Sequence, residues 1–492
     1  MLFNSLTFVI FIIIVIPAYF LLSEKLRWWF LLIVSLYFYM SWNVVYFFLF
    51  LFTLVVNHIL TLLIDSSKKK TLSKLYLLLS LFFSFGILFL FKYFDYTAAL
   101  SADIFAYFGI AIPDIRLGLL LPVGISFYTF QMLGYVIDVY NKKIPAERSL
   151  AAFALFITFF PQLVAGPIER AHHLMPQFKR KRKFVFTVFL SSMYRILWGF
   201  IKKMVIADRL AAFVNPIYSS PREYSPALLI LATAVFAFQI YCDFSGYCDI
   251  ALGVAKIMGF RLTLNFKNPY FAKSISEFWE RWHITLSRWF QDYIYIPLGG
   301  SRVRMPRYIL NVMIVFIVSG VWHGAGLKFL FWGLLHGLMV AFEKIYKDKI
   351  KPVTTAKFRR SATYHCLCVF ATFTLVNIAW VFFRAQTLSD TMYILNQFLT
   401  FNFKEMFLMI FDAGSPLYNM GVFTPFEFWF AAFAVAAMLI IERKTEKQNV
   451  FLKLAREPVI AQCAIYVIML FVIILFGMYG ENTVQQFIYF QF

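Results

Sequence analysis

Three of the seven histidines, His283, His323 and His336, lie where an imidazole could take part in chemistry. His323 ends an apolar stretch and is followed by glycines in "SGVWHGAG" (319–326). An ionisable side chain within a membrane segment is costly to bury and indicates a functional site. We therefore interpret His323 as functional, with Ser319 one helical turn earlier on the same face. The alternative is a structural hydrogen bond to another helix.

The segment 274–294 predicts one amphipathic helix that carries the second histidine. Ser274 and Glu277 form an S-x-x-E capping box at its start, and Glu277 and Arg281 are spaced for an i, i+4 ion pair. Helical spacing places four large or aromatic side chains on one face: Trp279, His283, Leu286 and Phe290. His283 is either a functional group or a hydrogen-bonded member of an interfacial aromatic belt.

His336 has a simpler structural interpretation. It lies in "GLLHG", where Gly333 and Gly337 form a small-xxx-small face, and we expect it to hydrogen-bond across helices. No histidine pair is spaced i, i+4, and no HExxH pattern occurs, so we predict no metal site. The five cysteines form no CxxC pair, which argues against a disulfide framework and a structural zinc site.

The composition is that of an integral membrane protein. Of 492 residues, 61% are hydrophobic and only 14% are charged, and the mean hydropathy is +0.74. We predict an all-α polytopic protein of about eleven or twelve membrane helices plus re-entrant and amphipathic helices. The predicted apolar stretches are 6–22, 28–43, 44–64, 75–91, 119–140, 185–205, 227–244, 308–323, 326–343, 366–385, 424–442 and 459–480.

The net charge of +21 is explained by basic cytoplasmic loops that follow the positive-inside rule. We therefore expect membrane lipid to surround the protein, and we predict no nucleic-acid partner. The positions of the basic clusters predict that both termini lie outside the cytoplasm. Pro161, Gly166 and Pro167 break the apolar segment 150–178, which predicts a re-entrant helix. The segment 245–307 is too polar to face lipid and is expected to line a cavity, lie at an interface or be buried.

We find no linker and no internal repeat, so we predict a single domain, 1–492. It comprises N-terminal helices (1–118), a motif-bearing core (119–343) and C-terminal helices (344–492).

Five ordered blocks carry a resemblance to a known family: "QIYCDFSGYCDIALG" (239–253), "LNFKNPYFAKSISEFWERWHITLSRWFQDYIYIPLGG" (264–300), "VSGVWHGAGLKFLFWGLLHG" (318–337), "NIAWVFFRA" (377–385) and "FIYFQF" (487–492). Together they resemble the membrane-bound O-acyltransferase (MBOAT) family, in its bacterial branch with the alginate and peptidoglycan O-acetyltransferase membrane subunits. The resemblance implies helices around a central tunnel. It identifies His323 with the histidine required for transfer and His283 with a second polar position. The chain departs from the usual pattern of the branch at Cys248, Glu280 and Gln291.

The resemblance also implies a function. An acetyl group would pass from a cytosolic donor, acetyl-CoA, across the bacterial inner membrane toward a hydroxyl of an exported alginate-like polysaccharide or peptidoglycan. Transfer to the polymer would be direct or would go through a periplasmic or secreted partner protein, and no cofactor would be bound. His323 would be the general base and His283 would orient the acceptor or bind the carbonyl oxygen. Two alternatives are D-alanyl transfer to teichoic acid and a proton-coupled transporter.

Further residues are candidates for binding the two substrates. The candidates for substrate contact are Trp279, Trp282, Ser319 and Trp322. The candidates for attracting the donor phosphates are Lys179, Arg180, Lys181, Arg182, Lys183, Arg302, Arg304 and Arg307.

Overall fold

The computed structural model describes residues 1, 3–113, 115–349, 360–412, 414–418, 423–445, 450–479 and 487–488. Every regular element in these ranges is helical, as predicted. Backbone contacts divide the chain into two compact units. The first comprises Met1–Ser192 and Ile250–Thr263, and the second comprises Met193–Asp249 and Leu264–Phe492. The single domain and its boundaries after residues 118 and 343 stay predictions.

The first unit is built on helices that pack side by side. Helices α3 (Val44–Ser66) and α4 (Lys70–Lys92) are joined by a polar contact. The side-chain oxygen of Asn57 accepts a hydrogen bond from the hydroxyl of Ser80 at 2.5 Å, and its amide nitrogen donates to the hydroxyl of Ser84 at 3.1 Å. Such a contact is a common link between apolar helices. The helices that begin in this unit are α1 (Leu6–Leu21), α2 (Glu24–Met40), α3 (Val44–Ser66), α4 (Lys70–Lys92), α5 (Phe94–Tyr107), α6 (Ile125–Tyr140), α7 (Leu150–Thr158), α8 (Ala171–Phe178) and α9 (Phe186–Phe200).

The predicted break within 150–178 is confirmed. Helix α7 is capped by Ser149, whose hydroxyl accepts the N–H of Ala152 at 3.2 Å, and it ends at Thr158 before Pro161. The chain is then non-helical and buried until α8 begins. Pro161 cannot donate a helical hydrogen bond, which explains the early end of α7. That this segment re-enters the membrane stays a prediction.

The second unit contains the candidate histidines. It continues α9 into a π-helix, Ile201–Ala207, and its described residues also hold three short 3₁₀ turns and a second π-helix, Gln291–Tyr295. Its helices are α10 (Asp208–Ser219), α11 (Pro226–Ile257), α12 (Ile275–Arg281), α13 (Ile284–Phe290), α14 (Met305–His323), α15 (Leu327–Lys349), α16 (Ala362–Arg384), α17 (Leu388–Gln397), α18 (Phe403–Phe411), α19 (Pro425–Thr445), α20 (Val450–Leu454) and α21 (Val459–Phe476).

The core of the second unit is aromatic. Trp282, Trp332 and Trp380 are its largest fully buried side chains. The ring of Trp282 lies 5.1 Å from that of Trp380 and stacks on Phe278 at 5.6 Å. Buried aromatic pairs of this kind stabilise a core beyond the area they remove from water.

Eight helices in the described part of the chain are long and apolar enough to cross a membrane. They are α3, α4, α11, α14, α15, α16, α19 and α21. Other predicted stretches fall on shorter helices, such as α1, or on α9 with the π-helix that follows it. The chain is therefore a multi-pass membrane protein, whereas the orientation of its termini stays a prediction.

Candidate functional site

The segment around His283 is two helices instead of one. Helix α12 ends at Arg281, His283 has a left-handed backbone with φ of +43°, and α13 begins at Ile284. The backbone N–H of Ile284 donates to the carbonyl of Asn265 at 2.9 Å, so a partner outside the segment replaces the helical acceptor. The prediction of one continuous helix over 274–294, and of a shared face running through His283, is therefore wrong.

The predicted start of this segment is confirmed. The hydroxyl of Ser274 accepts the N–H of Glu277 at 3.3 Å, which is half of the capping box. The other half differs, because the Glu277 carboxylate accepts the N–H of Lys273 at 2.8 Å. Glu277 also forms the predicted ion pair with Arg281 at 2.8 Å.

His283 is fully buried among aromatic rings. Its imidazole meets the ring of Phe244 edge-on with centroids 4.9 Å apart, and the ring of Trp322 at 6.0 Å. Burial lowers the pKa of His283 to about 3, because the charged imidazolium loses its hydration. His283 is therefore a neutral hydrogen-bonding group at physiological pH.

His323 is the last residue of α14 and is 5% exposed. Its ring lies 4.8 Å from Trp322, 4.8 Å from Trp332 and 5.3 Å from Phe383, each in an edge-to-face arrangement. The side chain is thus enclosed by aromatic groups of the protein. It does not face lipid.

Glycines bring α14 and α15 together beside this histidine. Gly333 belongs to the predicted small-xxx-small face, whereas Gly320 was not predicted to pack closely. A Cβ atom at Gly320 would overlap the backbone carbonyl of Phe329, and one at Gly333 would overlap the carbonyl of Phe316. Only glycine permits this approach of the two backbones. The close approach of α14 and α15 therefore keeps His323 near the side chains of α15.

His336 makes the interhelical hydrogen bond that we predicted for it. It is fully buried, and its Nδ1 accepts the indole N–H of Trp279 at 3.3 Å. Its ring also meets that of Trp332, with centroids 4.8 Å apart. The contact joins α15 to α12.

These contacts link the three buried histidines through tryptophans in one group, which we call the histidine–tryptophan cluster. Trp279 is its only partly buried member. Neighbouring rings in it have centroids 4.8 to 6.0 Å apart. In order of contact, the cluster is His283, Trp322, His323, Trp332, His336 and Trp279. The fold therefore assembles residues from three helices and one helix junction into a single aromatic site.

The remaining predicted substrate contacts lie nearby in the second unit. Ser319 is buried on α14, one turn before His323. Trp282 packs into the aromatic core beside Trp380. The roles in substrate binding predicted for Trp279, Trp282, Ser319 and Trp322 stay predictions.

The basic residues predicted to attract the donor are mostly exposed. Lys179, Arg180, Lys181 and Lys183 follow α8 in the first unit, and Lys181 pairs with Glu24 at 3.2 Å. Arg182 differs, because its guanidinium donates to the carbonyl of Gln177 at 3.1 Å and lies over the ring of Phe260. In the second unit, the exposed residues Arg302, Arg304 and Arg307 lie at the start of α14.

Lys179 also lines an open pocket of about 540 Å³ within the first unit. Ile144 and Met175 are apolar residues of the pocket lining, and Arg148 and His172 line the pocket together with Lys179. Glu147 is the acidic residue of the lining, and it binds Lys179 at 3.4 Å. The pocket combines an apolar surface with cationic groups.

Sequence reasoning missed a buried ion network in the second unit. The ammonium of Lys202, in the π-helix after α9, binds Glu442 at 2.6 Å and Asp249 at 3.1 Å. Asp249 also binds Arg195 at 2.9 Å, and the hydroxyl of Tyr241 donates to Glu442. Lysines and carboxylates of opposite sign within apolar stretches were the signal that could have revealed this network.

A second set of buried charges uses the neighbouring lysine. Lys203 binds Asp208 at 2.7 Å and Asp243 at 2.6 Å. The second oxygen of Asp243 accepts the backbone N–H of Ile488 at 2.7 Å, and the ring of Phe487 packs on Phe244. Phe244 also contacts His283, so Phe487 and Ile488 reach the surroundings of the site.

Some predictions fall partly outside the described residues. Of the terminal block 487–492, residues 489–492 are not described. Residues 350–359 and 446–449, which fall in predicted basic clusters, are not described either. Among the described residues, no three histidine, cysteine, aspartate or glutamate side chains are grouped to hold a metal ion.

Comparison with known proteins identifies relatives of this chain. Residues 142–373 match the family described as MBOAT, membrane-bound O-acyltransferase. The chain is 35% identical over 382 residues to the peptidoglycan O-acetyltransferase of Helicobacter pylori, which covers 71% of this chain and 69% of that protein.

Two other similarities are informative. The chain is 40% identical over 300 residues to the probable alginate O-acetylase AlgI of Azotobacter vinelandii, covering 61% of this chain and 57% of that protein. It is 28% identical over 290 residues to the teichoic acid D-alanyltransferase of Streptococcus thermophilus, covering 53% of this chain and 68% of that protein. Identity is thus lower to the D-alanyltransferase than to the two acetyl-transferring relatives.

Proposed function

The chain belongs to the membrane-bound O-acyltransferase family, and from that premise we propose that it transfers an acetyl group from cytosolic acetyl-CoA toward a hydroxyl of an exported polysaccharide. The names of the relatives support an alginate-like polymer or peptidoglycan as the final acceptor. We propose the bacterial inner membrane as its location and a periplasmic or secreted protein as its partner.

One observation carries this proposal. Two buried histidines, His323 and His283, both contact the ring of Trp322, at 4.8 Å and 6.0 Å. Both are enclosed by aromatic side chains at the end of a membrane helix, where electrostatic interactions are strong because water is excluded. Transfer between a thioester and an alcohol needs a base and a hydrogen-bond donor in such a site.

The proposed reaction assigns each histidine a step. Neutral His323 removes the proton of the acceptor hydroxyl while the hydroxyl oxygen attacks the thioester carbonyl. The resulting tetrahedral oxyanion collapses and the C–S bond breaks. The departing thiolate of CoA then takes up the acceptor's proton from the imidazolium of His323. His283, which is neutral because burial lowers its pKa, donates a hydrogen bond to the acceptor or to the carbonyl oxygen.

Substitution of His323 tests this assignment. Purified protein in lipid vesicles is supplied with radiolabelled acetyl-CoA, and thioester consumption and ester formation are measured. We expect His323→Ala to lower the rate by about 10²- to 10⁴-fold, which is the usual contribution of a general base. His58→Ala is the matched control, because His58 is also buried in a membrane helix but packs on Phe153 in the first unit. Full transfer by a correctly inserted His323→Ala protein contradicts the proposal.

We further propose that the pocket beside Lys179 holds the phosphate-bearing end of the donor. The size of the pocket, its apolar lining residues and the cations Lys179 and Arg148 support this role. Arg148 and Lys179 belong to basic clusters that the positive-inside rule predicts to lie on the cytosolic side.

A truncated donor separates this role from a general effect on folding. Lys179→Glu and Arg148→Glu should raise the KM for acetyl-CoA and leave the KM for S-acetylpantetheine, which lacks the nucleotide, unchanged. Arg302→Glu in the second unit tests the other predicted cluster in the same way. Equal effects on both donors would remove the pocket from donor binding.

The alternative is D-alanyl transfer, which the similarity to the teichoic acid D-alanyltransferase supports. Deletion of the gene, followed by analysis of the esters lost from cell-envelope and secreted glycans, distinguishes acetyl from D-alanyl groups. Consumption of acetyl-CoA by the purified protein without a transmembrane gradient separates acetyl transfer from proton-coupled transport.

A further inference from the structure

We propose that Trp332 is a positioning residue for His323 and that the hydrogen bond between Trp279 and His336 holds Trp332 in place. This inference rests on the proposed function, because that function makes the orientation of His323 important for transfer. It assigns His336 and Trp279 a role in the reaction without contact with the reacting atoms.

Trp332 is the central contact of this arrangement. Its indole is fully buried and meets the imidazole of His323 at 81°, with ring centroids 4.8 Å apart. It also meets the imidazole of His336 at 67°, again with centroids 4.8 Å apart. Edge-to-face contacts are the favoured geometry for such rings, so the indole limits the rotation of both imidazoles.

The two helices that carry these rings are held at a short distance. Trp332 and His336 are four residues apart on α15, which places them on one face of that helix. Gly320 on α14 and Gly333 on α15 each lie against a backbone carbonyl of the other helix. His323 therefore has little room to move away from Trp332.

Trp279, on α12, contacts both His336 and Trp332. Its Nε1–H donates to Nδ1 of His336 at 3.3 Å, and its ring lies 5.6 Å from that of Trp332 at 79°. Because Nδ1 accepts this hydrogen bond, the neutral His336 ring carries its proton on Nε2. The hydrogen bond thus sets both the tautomer and the orientation of His336, and Trp332 packs between this pair and His323.

A general base must be held accurately, since a displacement of about 1 Å can lower a rate about 100-fold. Removing only the Trp279 hydrogen bond should therefore lower kcat. The KM for the donor should stay unchanged, because none of these rings belongs to the pocket proposed to bind it. This separation of kcat from KM distinguishes positioning from a general loss of structure.

The experiment uses substitutions that keep an aromatic ring in the full-length protein. Trp279→Phe removes the N–H and keeps an aromatic ring, and His336→Phe removes the acceptor. We expect each to lower kcat about 10-fold or more, and the double variant to fall no further, because both changes break the same hydrogen bond. His336→Asn keeps an acceptor near the position of Nδ1 and should recover most of the rate.

Trp289→Phe is the matched control, because Trp289 is a buried tryptophan of α13 that packs on Tyr293 outside the cluster. It should leave kcat unchanged. Wild-type kcat in Trp279→Phe and His336→Phe, or independent and multiplicative effects in the double variant, would overturn this inference. The proposed function fails on a different result, full transfer by His323→Ala, so the two failures are distinguishable.

Discussion

The carboxylate of Asp243 accepts the backbone N–H of Ile488 at 2.7 Å in the interior of the second unit. The two residues are 245 positions apart in the chain. Lys203 binds the other oxygen of Asp243 at 2.6 Å, so an ion-paired buried carboxylate also holds Phe487 and Ile488 close to the aromatic surroundings of His283.

We predict that Asp243→Asn destabilises the protein by about 3 kcal/mol, because it removes one charge from a buried pair and leaves Lys203 with Asp208 alone. Unfolding in mixed detergent micelles measures the change. Asp103→Asn, at an exposed position of α5, should leave the unfolding midpoint unchanged. An unchanged midpoint for Asp243→Asn would show that the pair contributes little.

The network around Lys202 gives a second prediction. Lys202→Met leaves Glu442 and Asp249 without their shared ammonium group and should cost about 3–5 kcal/mol of stability. Adding Glu442→Gln should recover part of the loss, since one buried negative charge disappears. Lys181→Met, which breaks an exposed ion pair with Glu24, serves as the control and should change little. Additive losses in the double variant would contradict direct coupling.

A third prediction concerns the approach of α14 and α15. Gly320→Ala adds a methyl group that overlaps the backbone carbonyl of Phe329. We expect the free energy of unfolding to fall by about 1–3 kcal/mol and the transfer rate to fall with it. Gly86→Ala in α4 is the matched control, because nothing lies within 4 Å of a Cβ at that position. It should be neutral or stabilising by about 0.5–1 kcal/mol, since alanine is the better helix former. Equal behaviour of the two variants would argue against the proposed close packing.

The fourth prediction is a pH dependence of stability that arises from His283. Burial lowers its pKa to about 3 from an ordinary value of 6.5, so below pH 6.5 the unfolded chain binds a proton that the folded protein does not. Stability should fall as the pH drops from 6.5 toward 3, by up to about 1.4 kcal/mol per pH unit for this residue. His283→Asn should remove this part of the slope, whereas His172→Asn, at an exposed position, should not. The same slope in all three proteins would contradict the prediction.

Much of the architecture was predictable from local sequence signals. The apolar stretches predicted the membrane helices, Pro161 predicted the break after α7, and Ser274 with Glu277 predicted the start of α12. Each of these features depends on hydrophobicity or on hydrogen bonds within a few residues. Gly333 and Gly337 beside His336 likewise indicated close helix packing before the contacts were known.

The helix break at His283 could not be predicted in the same way. The spacing of 274–294 is helical, but the carbonyl of Asn265 accepts the N–H of Ile284 and thereby competes with the helical acceptor. That acceptor lies outside the segment, and its arrival depends on how the chain folds back. The ion network was also missed, because hydropathy counts Lys202 and Asp249 separately and does not pair them.

The sequence by itself determined that this is a helical membrane protein of the acyltransferase family and that His323 ends a membrane helix. Those properties follow from composition, short-range periodicity and ordered motifs. Only the tertiary structure decided that tryptophans join His283, His323 and His336 in one buried cluster, and that lysines of a π-helix neutralise distant carboxylates. The physical reason is that ring packing and buried ion pairing depend on distances between residues far apart in the chain, and those distances exist only once the helices have packed.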